Sequence, residues 1–162
     1  MKKVIIAIAF LISSLANAQA FKGKDDSKAQ VGANIQNGGT GIFVSYDYGI
    51  GENMSIGATS NFLLGASNGF SASDLSFKDR FDLKARFNAN IGNVLNFDKK
   101  LDVYPGLDLG LKNFGAHLGA RYFFTEGFGL FTEFGIPLAK YNKNDNDYNN
   151  QFVFNFGASF NL

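Results

Sequence analysis

Cysteine and tryptophan are absent from this 162-residue chain, and it has only two prolines, two methionines and one histidine. Without cysteine it can form neither disulfides nor zinc–thiolate sites, so its stability must come from another source. The scarcity of proline and the 19 glycines favour extended segments joined by tight turns. With 15 basic and 14 acidic residues, the chain has no charge excess that would attract nucleic acid.

No apolar run is long enough to cross a bilayer as a helix, which takes about 20 residues. The longest, residues 4–15, follows Lys2 and Lys3 and ends at the small-x-small sequence Ala16-Asn17-Ala18. This order is typical of a secretory signal peptide, and a buried N-terminal helix is the alternative. We predict a signal peptide over residues 1–18 that is cleaved after Ala18. Loss of two lysines then leaves 13 bases against 14 acids, a net charge of −1.

From Ala29 onward, apolar and polar residues alternate with a period of two, which predicts β-strands. In residues 80–91 one face is entirely apolar and the other entirely polar, a separation that a helical period would destroy. Strands of about 9–11 residues are long enough to cross a bilayer when tilted. Pro105 lies in the fifth strand and predicts a local irregularity there, because it cannot donate a ladder hydrogen bond. The eight predicted strands are residues 30–36, 41–48, 54–64, 80–91, 101–109, 114–124, 128–138 and 151–162.

The sizes of the side chains indicate which face of the sheet points inward. An eight-stranded barrel has an interior that side chains only just fill, so the small polar face suits the inside and the bulky apolar face the outside. Acids and bases on the polar face could neutralise one another inside. We therefore predict an all-β, eight-stranded, antiparallel up-and-down transmembrane β-barrel over residues 29–162. The charged residues predicted to line its interior are Asp47, Asp82, Asp102, Asp108, Glu133, Arg80, Lys84, Arg86 and Arg121.

The connections suggest an orientation for such a barrel. With the N-terminus in the periplasm, the turns after strands two, four and six face the periplasm. The long polar connections at residues 65–77 and 139–150 are then external. Residues 19–28 carry five charged side chains and are predicted to form a solvated periplasmic leader; these side chains are Lys22, Lys24, Asp25, Asp26 and Lys28.

The signal peptide, eight amphipathic strands and aromatic last strand resemble the small outer-membrane β-barrels of the OmpA/OmpX type. The resemblance implies an environment of outer-membrane lipids and recognition of the last strand by the barrel-assembly machinery. It covers nearly all of the mature chain but carries no functional motif. Leu162 departs from the family, which usually ends in Phe. The alternating pattern of that strand is matched by Phe154, Phe156, Ala158, Phe160 and Leu162.

Residues that could carry chemistry are few. His117 is the only histidine, and no serine shares its strand face nearby, so a packed interior histidine is expected rather than a catalytic one. The oxygen-rich sequence Asp145-Asn146-Asp147 lacks the glycine and terminal glutamate of a calcium loop. We expect no enzyme, cofactor or metal site, and no nucleic-acid partner.

The expected function is that of a structural or surface-interaction outer-membrane barrel with a filled interior and exposed loops. Because eight strands leave no aqueous channel, a general diffusion pore is not expected. The alternative is a soluble secreted or periplasmic barrel, similar to a lipocalin, that carries an apolar ligand inside. A barrel enzyme that acts on lipid ranks last.

Overall fold

A computed structural model describes residues 19–66, 76–95, 98–141 and 149–162. Each strand pairs antiparallel with its neighbour in the chain, and the last pairs with the first, so the sheet closes into an up-and-down barrel. The predicted fold class is confirmed. No helix in the described ranges is long and apolar enough to cross a membrane. The elements are β1 Ser27–Gln36, β2 Gly39–Gly51, β3 Met54–Ala66, α1 Phe77–Arg80, β4 Phe81–Ala89, β5 Leu101–Gly110, β6 Asn113–Phe123, β7 Phe128–Lys140 and β8 Val153–Asn161.

The barrel has two ends with different connections. We call the end that contains the start of β1 and the end of β8 the terminal end, and the opposite one the loop end. At the loop end, Asn37 and Gly38 join β1 to β2, and the positive φ of Gly38, 78°, is one that glycine adopts without strain. The longer connections after β3 and β7 include residues 67–75 and 142–148, which lie outside the described residues.

Side chains alternate between a polar interior and an apolar exterior. In β2, for example, inward residues alternate strictly with exposed ones over most of the strand. Phe87 and Phe156 are 40% and 44% exposed, whereas Asp82 and Arg86 are only 1% and 3% exposed. The prediction that bulky apolar side chains point away from the barrel axis is therefore confirmed.

One residue predicted for the interior lies elsewhere. Ser76 and Asp79 form a capping box, which stabilises a helical turn over α1 and delays the start of β4 until Phe81. Arg80 consequently ends a helix instead of beginning a strand. Its guanidinium lies 4.6 Å from the centre of the Phe62 ring, and its Nε donates to the carbonyl oxygen of Leu63 at 2.8 Å. The prediction that Arg80 lines the interior is wrong.

The irregularity predicted at Pro105 is present. The pairing of β4 with β5 runs from Lys84 opposite Gly110 to Asn88 opposite Gly106 and stops before Pro105. On its other side, Pro105 remains opposite Leu118 in β6. Proline has no N–H to donate, so the ladder is interrupted on one side only and the barrel still closes.

The N-terminal segment differs from its prediction as a solvated leader. Ala20, Phe21 and Asp26 are buried, and β1 already includes Lys28, whose side chain is buried as well. Burial of the Phe21 ring against the barrel is favourable because it removes apolar surface from water. Lys22, Lys24 and Asp25 are exposed as predicted. The segment is thus part of the packed structure, and β1 begins at Ser27, two residues before the predicted start of the barrel.

Candidate functional site

The interior of the barrel is the most highly organised polar region of the described chain. Toward its terminal end, Arg121 of β6 binds two carboxylates. Its Nη1 lies 3.2 Å from Oδ2 of Asp47, and its Nη2 lies 3.0 Å from Oδ2 of Asp102. Asn90 donates from its amide to the same oxygen of Asp102 at 2.8 Å. A buried guanidinium is stable only when such partners replace the water it has lost.

A second guanidinium lies beside the first. Nη2 of Arg86 in β4 lies 2.6 Å from Oε2 of Glu133 in β7, and its Nε lies 3.4 Å from Oδ1 of Asp47. Asp47 therefore bridges the two arginines. The Tyr104 ring packs against both, with centroid distances of 4.5 Å to Arg121 and 5.7 Å to Arg86. The neutralisation of charges predicted from the sequence is found in these ion pairs, which join strands β2, β4, β5, β6 and β7.

His117 belongs to the same network. Its Nδ1 donates to Oδ2 of Asp108 at 2.9 Å, and its Nε2 accepts from Nη2 of Arg86 at 2.8 Å. The amide oxygen of Asn88 lies 2.8 Å from the same Nε2. Among the described residues, no serine hydroxyl bonds to this ring; Ser55 bonds to Asn88 and Asn90 instead. Both ring nitrogens are occupied by partners that hold the imidazole in place, as expected for a packed interior histidine.

Little empty space remains inside. A cavity toward the loop end has a volume of about 10 Å³ and is lined by residues that include Asn61, Lys84, Asp108, Glu133 and Asn155. This volume accommodates a single water molecule. This cavity is therefore too small for an apolar ligand.

The N-terminal residues close the terminal end of the barrel. We call residues 19–26 the terminal plug. The backbone N–H of Ala20 donates to the carbonyl oxygen of Lys99 at 2.8 Å, and the Asn93 amide donates to that of Phe21 at 3.2 Å. Buried Lys28 forms an ion pair with Asp26, and its ammonium lies 5.9 Å and 5.4 Å from the ring centres of Phe21 and Phe123.

Sequence reasoning missed this plug. The only indication in the sequence is Phe21, a large aromatic residue beside an otherwise small or charged segment. Phe123, on which the plug packs, lies on the inward face of β6 at its last position, and Ala20 and Phe123 form a buried apolar cluster. The matching indication in the sequence is Phe123 itself, an aromatic residue at the end of an inward face whose other residues are small or polar.

Across the described ranges, no three histidine or acidic side chains lie close enough together to hold a metal ion. The sequence Asp145-Asn146-Asp147 lies outside the described residues. The expectations that the protein has no metal, cofactor or catalytic activity remain predictions.

Comparisons with known proteins support the fold and identify the family. The structure is similar to a solved one titled "De novo design of transmembrane beta-barrels", with a TM-score of 0.58 and 10% sequence identity over 87% of this chain and 98% of that one. At this identity the likeness concerns the fold alone. The comparison with curated proteins gave no match. A family model matches residues 11–162, nearly the whole length, and the chain thus belongs to the family of unknown function DUF6646.

Proposed function

We propose that the protein is an integral outer-membrane barrel of the OmpA/OmpX-like type, without enzymatic activity, that serves as a structural or surface-interaction scaffold. The observation that carries this proposal is the exposure of large apolar side chains around the whole barrel while the ionic groups lie inside. Leu118, Leu130, Val44 and Ile56 are each between 47% and 51% exposed and lie on four different strands. In water such a surface would favour aggregation, whereas in lipid it is the favourable arrangement.

Aromatic side chains form two rows on this apolar surface. Toward the terminal end, Tyr122, Phe124, Phe128 and Phe160 form a row with ring-centre distances of 5.4–6.5 Å. A second row, formed by Phe134, Phe152, Phe154 and Phe156, runs from the loop end to the middle of β7 and β8. An apolar outer surface rich in aromatic rings is typical of barrels that span a bilayer.

The packed interior argues against the soluble carrier. A lipocalin-like barrel needs an apolar cavity that can hold its ligand. Here the interior contains the ion pairs of Arg86 and Arg121, and the cavity near Asn61 accommodates one water molecule. Small apolar ligands would have to displace buried, paired charges, which is unfavourable.

The orientation follows from the signal peptide that we infer for residues 1–18. Export leaves the terminal end, with its terminal plug, in the periplasm and the loop end outside. The barrel then presents two segments externally, those that contain residues 67–75 and 142–148. We infer that the periplasmic assembly machinery recognises β8, whose exposed Phe156 and Phe160 continue the aromatic pattern.

The test is the environment in which the protein folds. The full chain should be expressed with its leader, recovered from the outer-membrane fraction and analysed by mass spectrometry, which we expect to show a chain that begins at Gln19. The purified protein, denatured in urea, should refold into phosphatidylcholine vesicles and migrate differently on SDS gels before and after boiling. A monomer that folds in buffer without detergent and is recovered from the soluble fraction would contradict the proposal.

A further inference from the structure

Among the described residues, the loop end of the barrel carries an excess of basic side chains. The cationic side chains of Lys78, Arg80, Lys112 and Lys140 are exposed or half-buried there, and we call these four residues the basic rim. The described acid beside them, Asp79, has its carboxylate engaged by the backbone and hydroxyl of Ser76. The exposed or half-buried charges in the connections of the terminal end are balanced, with four bases and four acids: Lys22, Lys24, Lys99, Lys100, Asp25, Glu52, Asp98 and Glu126.

The four cations lie together on one side of the barrel. Lys112 Nζ donates to the carbonyl oxygen of Asp79, between Lys78 and Arg80, at 3.2 Å. The backbone N–H of Tyr141, next to Lys140, donates to the carbonyl oxygen of Lys112 at 3.2 Å. These two bonds join α1, the β5–β6 turn and the end of β7 into one surface.

Two of these cations have no acid partner in the structure described. Neither Lys78 nor Lys140 forms an ion pair with any described residue, although both are exposed. Like charges held together on a surface repel one another, and their interaction becomes favourable when an anion is bound between them.

Directly below the basic rim, the barrel exposes some of its most accessible apolar side chains. Phe77, Leu109, Leu111 and Leu138 are between 55% and 67% exposed, and the backbone N–H of Leu111 bonds to the carbonyl oxygen of Leu83 on the neighbouring strand. Cations above and aliphatic surface below match a molecule with a phosphate head and hydrocarbon chains.

We propose that the basic rim binds the phosphate groups of a phosphorylated lipid in the leaflet that surrounds the loop end, while Leu109, Leu111 and Leu138 contact its acyl chains. This rests on the proposed function, which places the apolar surface in a bilayer. In an outer membrane, the lipid of the external leaflet is a phosphorylated glycolipid, for which lipid A is a suitable probe. The bound lipid would neutralise the basic rim.

The experiment measures binding of lipid A, and of the same lipid without its phosphates, to the full-length, processed protein folded in a neutral detergent. Native mass spectrometry or a fluorescence titration provides the affinity. The test variant is Lys78→Gln/Arg80→Gln/Lys112→Gln/Lys140→Gln, and the matched control is Lys22→Gln/Lys24→Gln/Lys99→Gln/Lys100→Gln at the other end. Asp145 and Asp147, outside the described residues, stay unchanged in every variant.

We expect the test variant to bind lipid A on the order of 100-fold more weakly, since each basic group near a charged lipid surface strengthens binding, and the control to bind as the wild type does. Dephosphorylated lipid should bind the wild type as weakly as lipid A binds the test variant. Equal affinity of the two variants would overturn the proposal, and so would full competition by millimolar inorganic phosphate, which would indicate a site for free phosphate.

Folding is checked separately by migration on SDS gels before boiling. If the fourfold test variant folds but binds lipid A normally, the proposal that the basic rim binds lipid is contradicted, whereas the proposed function is not. A wild-type protein that folds in buffer and stays soluble contradicts the proposed function. If the fourfold variant fails to fold, the pair Lys78→Gln/Lys140→Gln replaces it, because neither lysine has an ion pair to lose among the described residues, and normal binding by that pair also overturns the proposal.

Discussion

Tyr104 and Gly119 lie directly opposite each other on β5 and β6, and the tyrosine ring occupies the space that a side chain at position 119 would need. Two pairs further along the ladder, the same relationship holds between His117 and Gly106. These two interior rings thus each face a glycine. This pairing of large with small allows a barrel of only eight strands to hold a stacked tyrosine and two arginines.

Gly119→Ala therefore tests the packing of the interior. The added methyl group would overlap the Tyr104 ring, and overpacking of this kind costs about 1–3 kcal/mol of unfolding free energy. Gly127→Ala is the matched control, because nothing lies within 4 Å of a methyl group at that turn position. Urea unfolding in vesicles measures the unfolding free energy of both variants. Equal stability of the two variants would show that Tyr104 does not lie against Gly119.

Arg121→Ala tests the ion pairs. The substitution leaves Asp102 and one oxygen of Asp47 without their cation, and breaking a buried pair in this way costs about 3–5 kcal/mol. Arg121→Ala/Asp102→Ala should be less destabilised than the sum of the two single variants. Additive losses in this double-mutant cycle would mean that the two side chains do not interact. Lys24→Ala, at an exposed position, serves as the neutral control.

Two leucines on the outer surface test the depth of insertion. Leu118 lies at the middle of β6, and Leu118→Arg should cost about 2–4 kcal/mol because arginine is least tolerated at the bilayer midplane. Leu111 lies at the loop end, near the expected interface, and Leu111→Arg should cost only about 0–1 kcal/mol. Refolding into phosphatidylcholine vesicles under urea provides both values. The reverse order would refute the placement of the barrel in the bilayer.

Phe21→Ala tests the terminal plug. Loss of a buried phenylalanine costs about 3–5 kcal/mol, and here we expect the cost to appear as local opening of residues 19–26. Hydrogen exchange should then become at least about tenfold faster at the Ala20 amide, which bonds to Lys99, while the strand amides remain protected. Lys22→Ala, beside it but exposed, should exchange as the wild type does. Unchanged exchange in Phe21→Ala would show that this ring does not anchor the plug.

Alternation was sufficient to predict the barrel and the direction of its faces. In β4, each residue from Phe81 to Ala89 has the orientation that the period of two requires, because one misplaced residue would reverse all those after it. The partners inside could not be predicted in the same way. Asp47 and Arg121 are 74 residues apart in the sequence, and only the register of four successive strand pairs brings them together.

The predictions for Arg80 and for the N-terminal segment differ from the structure for local reasons. Arg80 matched the alternating pattern, but the capping box of Ser76 and Asp79 stabilises a helical turn that overrides it. The charges of residues 22–28 suggested a solvated leader, because charged segments seldom pack. Phe21 and the aromatic end of β6 outweigh that tendency, and Lys28 is accommodated by Asp26 and two rings. Composition alone does not reveal such a specific set of partners.

The most direct test of the membrane barrel uses the absence of tryptophan. Phe134 and Phe131 lie three residues apart on β7, the first 46% exposed on the outer surface and the second 4% exposed inside. Phe134→Trp and Phe131→Trp each introduce a single tryptophan, whose fluorescence is measured in vesicles of phosphatidylcholine with brominated acyl chains. We predict strong quenching of Trp fluorescence in Phe134→Trp and little in Phe131→Trp. Quenching of the second variant and not the first would contradict the account.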